Sequence, residues 1–290
     1  MKELGFFNNE FIDISEACVN LEDRGYQFGD GIYEATHVYN GKCFALDRHL
    51  ERCRRSLREM QIPITFMDEE LTAIHKDIIE KSGIADGTIY FQITRGTAPR
   101  SHCFPDLVVP NLSMTIRAGK PNEQWQKNGI HAIFVEDIRW LRCDINSLNL
   151  IGNILAKQAA HVKKMQGAIQ YRKGADKNTV TEGASSNFFI VKDGIIWTHP
   201  LDHFILKGVT RSLLVEECMP KLGLTLVEKE FTPDFALSAD EAFVTSTGLE
   251  VTPVVSIDEK VIGTGKVGDI TKQLLDAYHS LVTEKCYSNG

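Results

Sequence analysis

The sequence predicts an α+β protein in two domains, and two observations carry that prediction. Strand-like runs rich in Val, Ile, Phe and Tyr alternate with amphipathic helical stretches, but without the regular strand–helix–strand repeat of a doubly wound sheet. The 290 residues suffice for two cores, and Ala118-Gly119-Lys120-Pro121-Asn122 is a turn-rich break between two such patterned halves. A smaller N-terminal domain over 1–117, a linker over 118–126 and a larger domain over 127–290 are expected. No internal repeat or low-complexity tract interrupts either half.

Residues 5–14 read as strand, turn at Asn8-Asn9, and strand. Glu22 to Glu34 holds three glycines within seven residues among aromatics and charges, the pattern of a loop with close backbone approach. Tyr33 to Tyr39 is β-prone and Asn40-Gly41 is a hairpin signal. A helix follows from Asp47, a candidate N-cap, with Leu50, Cys53, Leu57 and Met60 at helical spacing. It carries five arginines (48, 52, 54, 55 and 58), of which one could meet an anion. Asp68 to Ser82 is a second amphipathic helix, and Thr88 to Thr94 is a strand that ends in Arg95-Gly96-Thr97-Ala98-Pro99-Arg100-Ser101-His102. Two arginines and a histidine on such a loop suit a carboxylate, since a guanidinium can grip one with two parallel hydrogen bonds. Leu112 to Arg117 closes the first half as a strand.

The second half opens with an apolar run, Ile130 to Trp140, leading into Leu141-Arg142-Cys143-Asp144-Ile145-Asn146 and then a helix from Ser147. Leu148, Ile151, Leu155, Ala159 and Val162 mark the expected buried face of that helix. Such a junction can hold one side chain rigidly over a site. Ala168 to Tyr171 is a strand, Thr179 to Asn187 a small-residue loop with one acid, and Phe188–Val191 with Ile195–Thr198 a hairpin around Asp193-Gly194. Thr210 is the expected N-cap of a helix carrying Leu213, Leu214 and Leu222, where backbone N–H groups suit a phosphate. Ala242 to Thr245 is a short strand before the hydroxyl-bearing turn Ser246-Thr247-Gly248, and Ile270, Leu274, Tyr278 and Leu281 lie in register on a last helix.

Composition excludes several classes of function. Hydrophobic content of 43% and charged content of 24% describe an ordinary globular chain. A net charge of −7 gives no reason to expect nucleic-acid binding. Seven scattered cysteines with no C-x-x-C pair argue against zinc and against a disulfide framework, and suggest reduced thiols in a cytoplasmic protein. No signal peptide is visible and no apolar run spans a bilayer. The nine histidines lack metal-ligand spacing, and dinucleotide, Walker and serine-hydrolase motifs are absent. Composition and spacing alone stop at a two-domain protein that could bind a small phosphorylated molecule.

The segments EDRGYQFGDGIYE (22–34), YFQITRGTAPRSH (90–102), FVEDIRWLRCDINSLNL (134–150), TVTEGASSN (179–187), ILKGVTR (205–211) and FVTST (243–247) go further. Together, over nearly the whole chain, they resemble the bacterial D-amino acid aminotransferases. These are fold type IV pyridoxal 5′-phosphate enzymes of the branched-chain aminotransferase-like superfamily. The resemblance implies a small α/β N-terminal domain, a larger domain with a barrel-like core, and a homodimer whose substrates are D-amino acids such as D-alanine and D-glutamate with 2-oxo acids. It places Glu182 opposite the cofactor's pyridine nitrogen, where a carboxylate keeps the ring protonated and able to accept electrons. Arg52, Val209, Thr210, Ser246 and Thr247 match the phosphate-binding set, and Leu206 the apolar residue against the ring. Tyr33, Arg100 and His102 match the group that holds the substrate carboxylate in the D-specific branch.

One residue departs from the family pattern. Where relatives read C-D-I-K-S-L-N, this chain reads Cys143-Asp144-Ile145-Asn146-Ser147-Leu148-Asn149. The family's lysine forms the Schiff base and then moves the substrate proton. An amide nitrogen, delocalised into its carbonyl, does neither near neutral pH. Lys157, 11 positions on, would stand roughly 16 Å away along a helix and cannot substitute. The expectation is an impaired or inactive transaminase with its pocket otherwise formed, holding the cofactor non-covalently or as an amino-acid adduct (external aldimine or pyridoxamine form). The alternatives are a natural non-catalytic pyridoxal-phosphate binder, and an aminodeoxychorismate lyase or L-branched-chain aminotransferase on the same fold.

Overall fold

The computed structural model describes residues 2–16 and 19–288, so Cys18 of the sequence reading lies outside the described residues. The chain divides into two units. The first comprises Met1–Lys120, Ile145–Asn149 and Val282–Gly290; the second comprises Pro121–Asp144 and Leu150–Leu281. Among the described residues no helix is long and apolar enough to cross a membrane.

In the first unit six strands form one antiparallel sheet: β1 (Leu4–Phe7), β2 (Glu10–Ile12), β3 (Gly31–Tyr39), β4 (Lys42–Cys43), β5 (Gly87–Thr94) and β6 (Asn111–Ala118), in the order β2-β1-β6-β5-β3-β4. Alternation sets the register: Ile89, Phe91 and Ile93 of β5 are fully buried while Thr88, Tyr90 and Gln92 between them are only partly so. Asn40 and Gly41 turn β3 into β4 with φ of 49° and 73°, as a two-residue hairpin requires. Helices α2 (Leu46–Glu59) and α3 (Asp68–Ser82) contribute Leu50, Cys53, Leu57, Leu71, Ile74 and Ile78 to the same core as Phe91 and Ile145.

Two local expectations are corrected here. The glycine-rich stretch after Glu22 is not a plain loop: it contains a short helix, α1 (Arg24–Phe28), capped by the Asp23 carboxylate, which accepts from the Gly25 and Tyr26 N–H groups, and ended by Gly29 at φ 67°. Asp47 does not cap α2, which starts one residue earlier behind Ala45 in the left-handed region; Asp47 instead favours the helix N-terminus through its charge.

The second unit is built on a nine-stranded, curled half-barrel sheet. Its strands are β7 (Ile130–Glu136), β8 (Gly167–Arg172), β9 (Thr179–Gly183), β10 (Asn187–Lys192), β11 (Ile195–Thr198), β12 (Leu226–Glu228), β13 (Glu241–Ser246), β14 (Glu250–Ile257) and β15 (Lys260–Val261). Their order is β12-β11-β10-β13-β14-β7-β8-β9, with β15 on β14. Four strands of this sheet went unread in the sequence: β9, β14 and the short β12 and β15. Thr179–Gly183 looked like a loop because its residues are small, and β14 contains Pro253, a residue that usually argues against an interior strand.

The apolar run from Ile130 ends as a strand at Glu136, not Trp140, and the helix after it starts at Ile151, not Ser147. That helix, α5 (Ile151–Val162), also turns a different face inward. Gly152, Ala156 and Ala160 are buried with Ile133 and Ala168, whereas Ile151, Ile154, Leu155 and Val162 are more than half exposed. Close approach explains the choice, since a Cβ at Gly152 would stand 2.8 Å from Arg139 Cγ.

The last helix, α7 (Asp269–Val282), is tied to the sheet through His279, whose Nε2 lies 2.7 Å from the buried Glu250 carboxylate. Gln126 on α4 (Glu123–Asn128) donates to the same carboxylate at 2.6 Å. The hydrogen bond with Glu250 raises the His279 pKa above the ordinary 6.5, against some burial. This bond therefore stabilises the fold fully below about pH 6.5 and fades as pH rises through the elevated native value. His279→Gln is expected to flatten that part of the stability profile in thermal unfolding between pH 6 and 9; an unchanged slope would show that the imidazole stays neutral.

Candidate functional site

In the first unit, Ile145–Asn149 lies along β3 as a further, irregular strand. Tyr33 N–H donates to Asn146 O at 2.9 Å, Leu148 N–H to Gly31 O at 3.0 Å, and Ile32 faces Ser147 in a single bridge. Ser56 Oγ accepts from the Asn146 N–H at 3.3 Å. The Asn146 side chain, 4% exposed, donates its amide to the Tyr33 carbonyl. Asn146 and Tyr33 are thus brought together, and the Tyr33 ring stacks on Tyr90 with centroids 5.7 Å apart.

Next to Tyr33, Glu34 points the other way across the strand and is completely buried. Arg52 of α2 grips it with Nε on Oε1 and Nη2 on Oε2, each at 2.8 Å, and His49 one turn earlier lies 2.8 Å from Oε2. Burial pushes this carboxyl up, but the Arg52 charge and the hydrogen bonds from Arg52 and His49 outweigh it and hold the pKa at about 2. On α2, Arg52 is locked to a buried acid, and Arg54 pairs with Asp68 nearer the surface. Arg100 and His102 sit on the exposed stretch after β5, where both meet the Phe28 ring, at 4.4 Å and 5.5 Å.

In the second unit the centre is Glu182, buried on β9. Arg139 Nη1 donates to Oε1 at 2.6 Å, Asn187 Nδ2 to Oε2 at 2.9 Å, and the Leu206 N–H reaches both oxygens at 3.2–3.3 Å. Arg139 is itself held by Asp137, with Nε on Oδ1 at 2.9 Å and Nη2 on Oδ2 at 2.8 Å; Asp137 also accepts from Thr181 Oγ1 at 2.9 Å. Burial raises Glu182 to about 7, because it outweighs the opposing pull of Arg139, whose charge is shared with Asp137. The result is a rigid acid that a further cationic or N–H partner would stabilise as carboxylate.

Asn187 also donates to Leu206 O at 2.8 Å, which fixes Leu206 beside the acid. Gly208 follows, and a Cβ there would stand 2.2 Å from Asn187 Oδ1, so only glycine fits. It is Gly208, not Thr210, that stands at the cap position: helix α6 (Val209–Leu213) already includes Val209 and Thr210 in its first turn. The capping reading failed because Gly208 supplies the extended entry without any side-chain bond. Val209 and Thr210 are buried, α6 packs against β13, and Ser246 and Thr247 are half-buried at the end of β13. Thr245 pairs with Asn187 across the ladder, so the two side chains share a sheet face; its Oγ1 is buried and finds no partner among the described residues. Among the described residues no cluster of His, Cys, Asp and Glu could hold a metal.

Sequence reasoning missed Glu34, His49, Asp137, Arg139 and Asn187. The only signal available was charge in unusual places: Asp137 and Arg139 two apart at the end of an apolar strand, and Glu34 inside a β-prone run.

A family model described as class IV amino-transferase matches residues 31–257. A D-alanine aminotransferase from Staphylococcus haemolyticus is 45% identical over 282 residues, 97% of this chain and 98% of that protein. Among solved structures, the Escherichia coli branched-chain amino acid aminotransferase superposes with a TM-score of 0.90 at 23% identity, covering 97% of this chain and 95% of that one. The branched-chain amino acid aminotransferase from Thermobaculum terrenum, in its PLP-bound holo-form, gives 0.84 at 24%, covering 98% and 95%. The likeness to these two structures concerns the fold; the near-full-length identity and the family match decide the rest. The chain belongs to the class IV amino-transferase family, on the fold type IV aminotransferase architecture.

Proposed function

We propose that the chain is a D-amino acid transaminase scaffold that binds pyridoxal 5′-phosphate without a covalent link and moves amino groups slowly or not at all. The observation that carries this reading is Asn146, a buried carboxamide spent on the Tyr33 carbonyl at the family's lysine position. The residues that match the family's cofactor set suit the cofactor otherwise. The raised pKa of Glu182 fits a carboxyl that awaits the protonated ring nitrogen, and the partnerless Thr245 hydroxyl fits a site that receives a polar ligand. When bound, the cofactor supplies an electron sink for the substrate α-carbon.

Glu182, positioned by Arg139 and Asn187, holds the ring's proton; Leu206 packs against the ring; Arg52, Val209, Thr210, Ser246 and Thr247 hold the phosphate. Tyr33, Arg100 and His102 hold the substrate carboxylate, which supports a D-amino acid and a 2-oxo acid as the ligands. Asn146 cannot take up a proton near neutral pH, so the proton-moving step lacks its group. The working form is a cytoplasmic homodimer. Ile138, Leu141, Ile151, Ile154 and Leu155, all exposed in the second unit, support a second copy as the cover for that apolar surface.

The test is titration of the purified protein with pyridoxal 5′-phosphate, followed by borohydride reduction and mass spectrometry. Saturable binding with no added mass is expected, by a particle of two chains in sedimentation. Absence of binding, or a cofactor fixed on a lysine together with rapid transamination, would overturn the reading.

A further inference from the structure

The loop bearing Arg100 and His102 runs from the end of β5 to the start of β6, Arg95 to Pro110, without helix or strand. Arg100, Ser101, His102, Cys103 and Phe104 are all exposed. A loop of this kind samples many conformations unless something outside it holds it, and each side chain it must order on binding weakens the complex. Here the anchors come from the α1 segment and the strand end beneath.

Asp30 is buried, and two buried arginines share its carboxylate. Arg95 donates Nε to Oδ2 at 2.7 Å and Nη2 to Oδ1 at 3.0 Å; Arg24 donates Nε to Oδ2 at 2.8 Å. The remainder of each guanidinium faces the backbone. Arg95 donates to the carbonyls of Gln61 and Met60, both at 2.7 Å, which fixes the loop's root to the end of α2. Arg24 reaches into the loop itself, donating Nη1 to Ser101 O at 2.6 Å and, more weakly, to Cys103 O at 3.4 Å. Ser101 lies between the two candidate ligand-binding residues, so this bond fixes the backbone on which both are carried. Phe104 lies under Arg95, 3.6 Å from the guanidinium carbon to the ring centroid.

Phe28, the last residue of α1, completes the arrangement. Its ring meets the Arg100 guanidinium at 4.4 Å, the Arg24 guanidinium at 4.9 Å and the His102 ring at 5.5 Å. One half-buried aromatic thus sets the direction of both side chains, Arg100 through the attraction of a ring's π-face for a cation and His102 through ring–ring contact. A lysine at position 24 could not replace the arginine. Its compact ammonium lacks the fork that spans the Asp30 carboxylate and the Ser101 carbonyl together.

We propose that Arg24 and Phe28 are positioning residues that preset the Arg100–His102 loop for the carboxylate of the amino-acid ligand. The proposal rests on the reading that this loop receives that carboxylate. It is tested on the whole protein, with Asn146 in place, by comparing two probes: pyridoxal 5′-phosphate alone and the reduced conjugate N-(5′-phosphopyridoxyl)-D-alanine, which adds the carboxylate. Arg24→Met and Phe28→Leu are expected to weaken the conjugate by roughly tenfold, the cost of ordering two freed side chains, while leaving pyridoxal 5′-phosphate affinity unchanged. Arg24→Lys is expected to behave like Arg24→Met. Asp30 keeps its two bonds from Arg95 in these variants, and Phe28→Leu keeps an apolar side chain at a half-buried position, so folding survives.

Unchanged conjugate affinity in both Arg24→Met and Phe28→Leu would overturn the proposal, and so would equal losses for the two probes, the mark of a merely structural role. Arg100→Ala separates the two levels. If it weakens the conjugate while Arg24→Met and Phe28→Leu do not, the inference fails and the carboxylate reading stands. If Arg100→Ala leaves the conjugate unaffected, both fail.

Discussion

Asn146→Lys is expected to convert D-alanine and 2-oxoglutarate to pyruvate and glutamate at a rate at least about 10²-fold, and up to about 10⁴-fold, above the unaltered chain. That is the usual contribution of a positioned general acid–base, with covalent capture of the cofactor added to it. The physical reason is the nitrogen. A carboxamide nitrogen has its lone pair delocalised into the carbonyl and no useful basicity, whereas a lysine amine in a buried position loses part of its preference for the charged form and becomes a base near neutral pH. The backbone should accept the change. Residue 146 is held by its main chain, through the Tyr33 N–H and Ser56 Oγ bonds, neither of which involves its side chain. The lost amide bond to the Tyr33 carbonyl should cost about 1 kcal/mol. A coupled assay for pyruvate measures the gain, and borohydride reduction should now fix the cofactor's mass on residue 146. Running L-alanine beside D-alanine tests the stereochemical reading, with D-alanine expected to be preferred. A lysine variant that binds the cofactor but turns over neither enantiomer would defeat the proposed function.

Arg139→Met is expected to destabilise the protein by about 3–5 kcal/mol, the cost of breaking a buried ion pair from one side. Arg139 is 5% exposed and serves two buried acids, Asp137 and Glu182. Asp137 retains Arg172, at 3.4 Å, and should stay ionised. Glu182 is left with the Asn187 amide and the Leu206 N–H, neither of them a cation. Its carboxyl is already raised to about 7, and without Arg139 it should keep its proton further into the alkaline range. A carboxyl whose native pKa exceeds its unfolded one loses stability as pH rises from the unfolded value to the native value. In the unaltered protein that loss ends near pH 7; in the variant it continues above. The gap in unfolding free energy between the two proteins should therefore widen from pH 6 to pH 9 in urea titrations. A gap that stays constant would mean that Glu182 is not the acid left exposed by the substitution. Cofactor affinity should fall in the same variant, since a protonated Glu182 holds the ring's proton less well.

Much of the fold was legible in the sequence because local signals and tertiary structure agree there. The alternation in TIYFQIT, and the Asn40-Gly41 and Asp193-Gly194 turns, all say the same thing at both levels. Legibility failed where tertiary packing overrode local preference. On α5 the large apolar residues read as the inward face, yet the helix turns its glycine and alanines inward because Arg139 and β8 leave room only for small side chains. At 147–149 the expected helix yields to pairing with residues more than a hundred positions away. The site shows the same division. Glu182 and Leu206 were named because they sit in contiguous motifs, whereas Arg139 and Asn187, which bond to them, were not named. Arg139 meets Glu182 across 43 positions, and His49 meets Glu34 across 15. Such pairs exist only once the chain has folded.

The main-chain anchoring of residue 146 separates architecture from chemistry at this one position. Folding draws mainly on the peptide groups of the segment and on the buried Ile145 beside it, with the side-chain bond of residue 146 to the Tyr33 carbonyl adding about 1 kcal/mol. Asparagine and lysine codons differ by a single third-base change, so one nucleotide separates the two states of this position, a carboxamide and a basic amine. Neither state has to cross a poorly folded intermediate. A position with that property can be exchanged freely by selection, and the same freedom makes it a convenient switch for engineering.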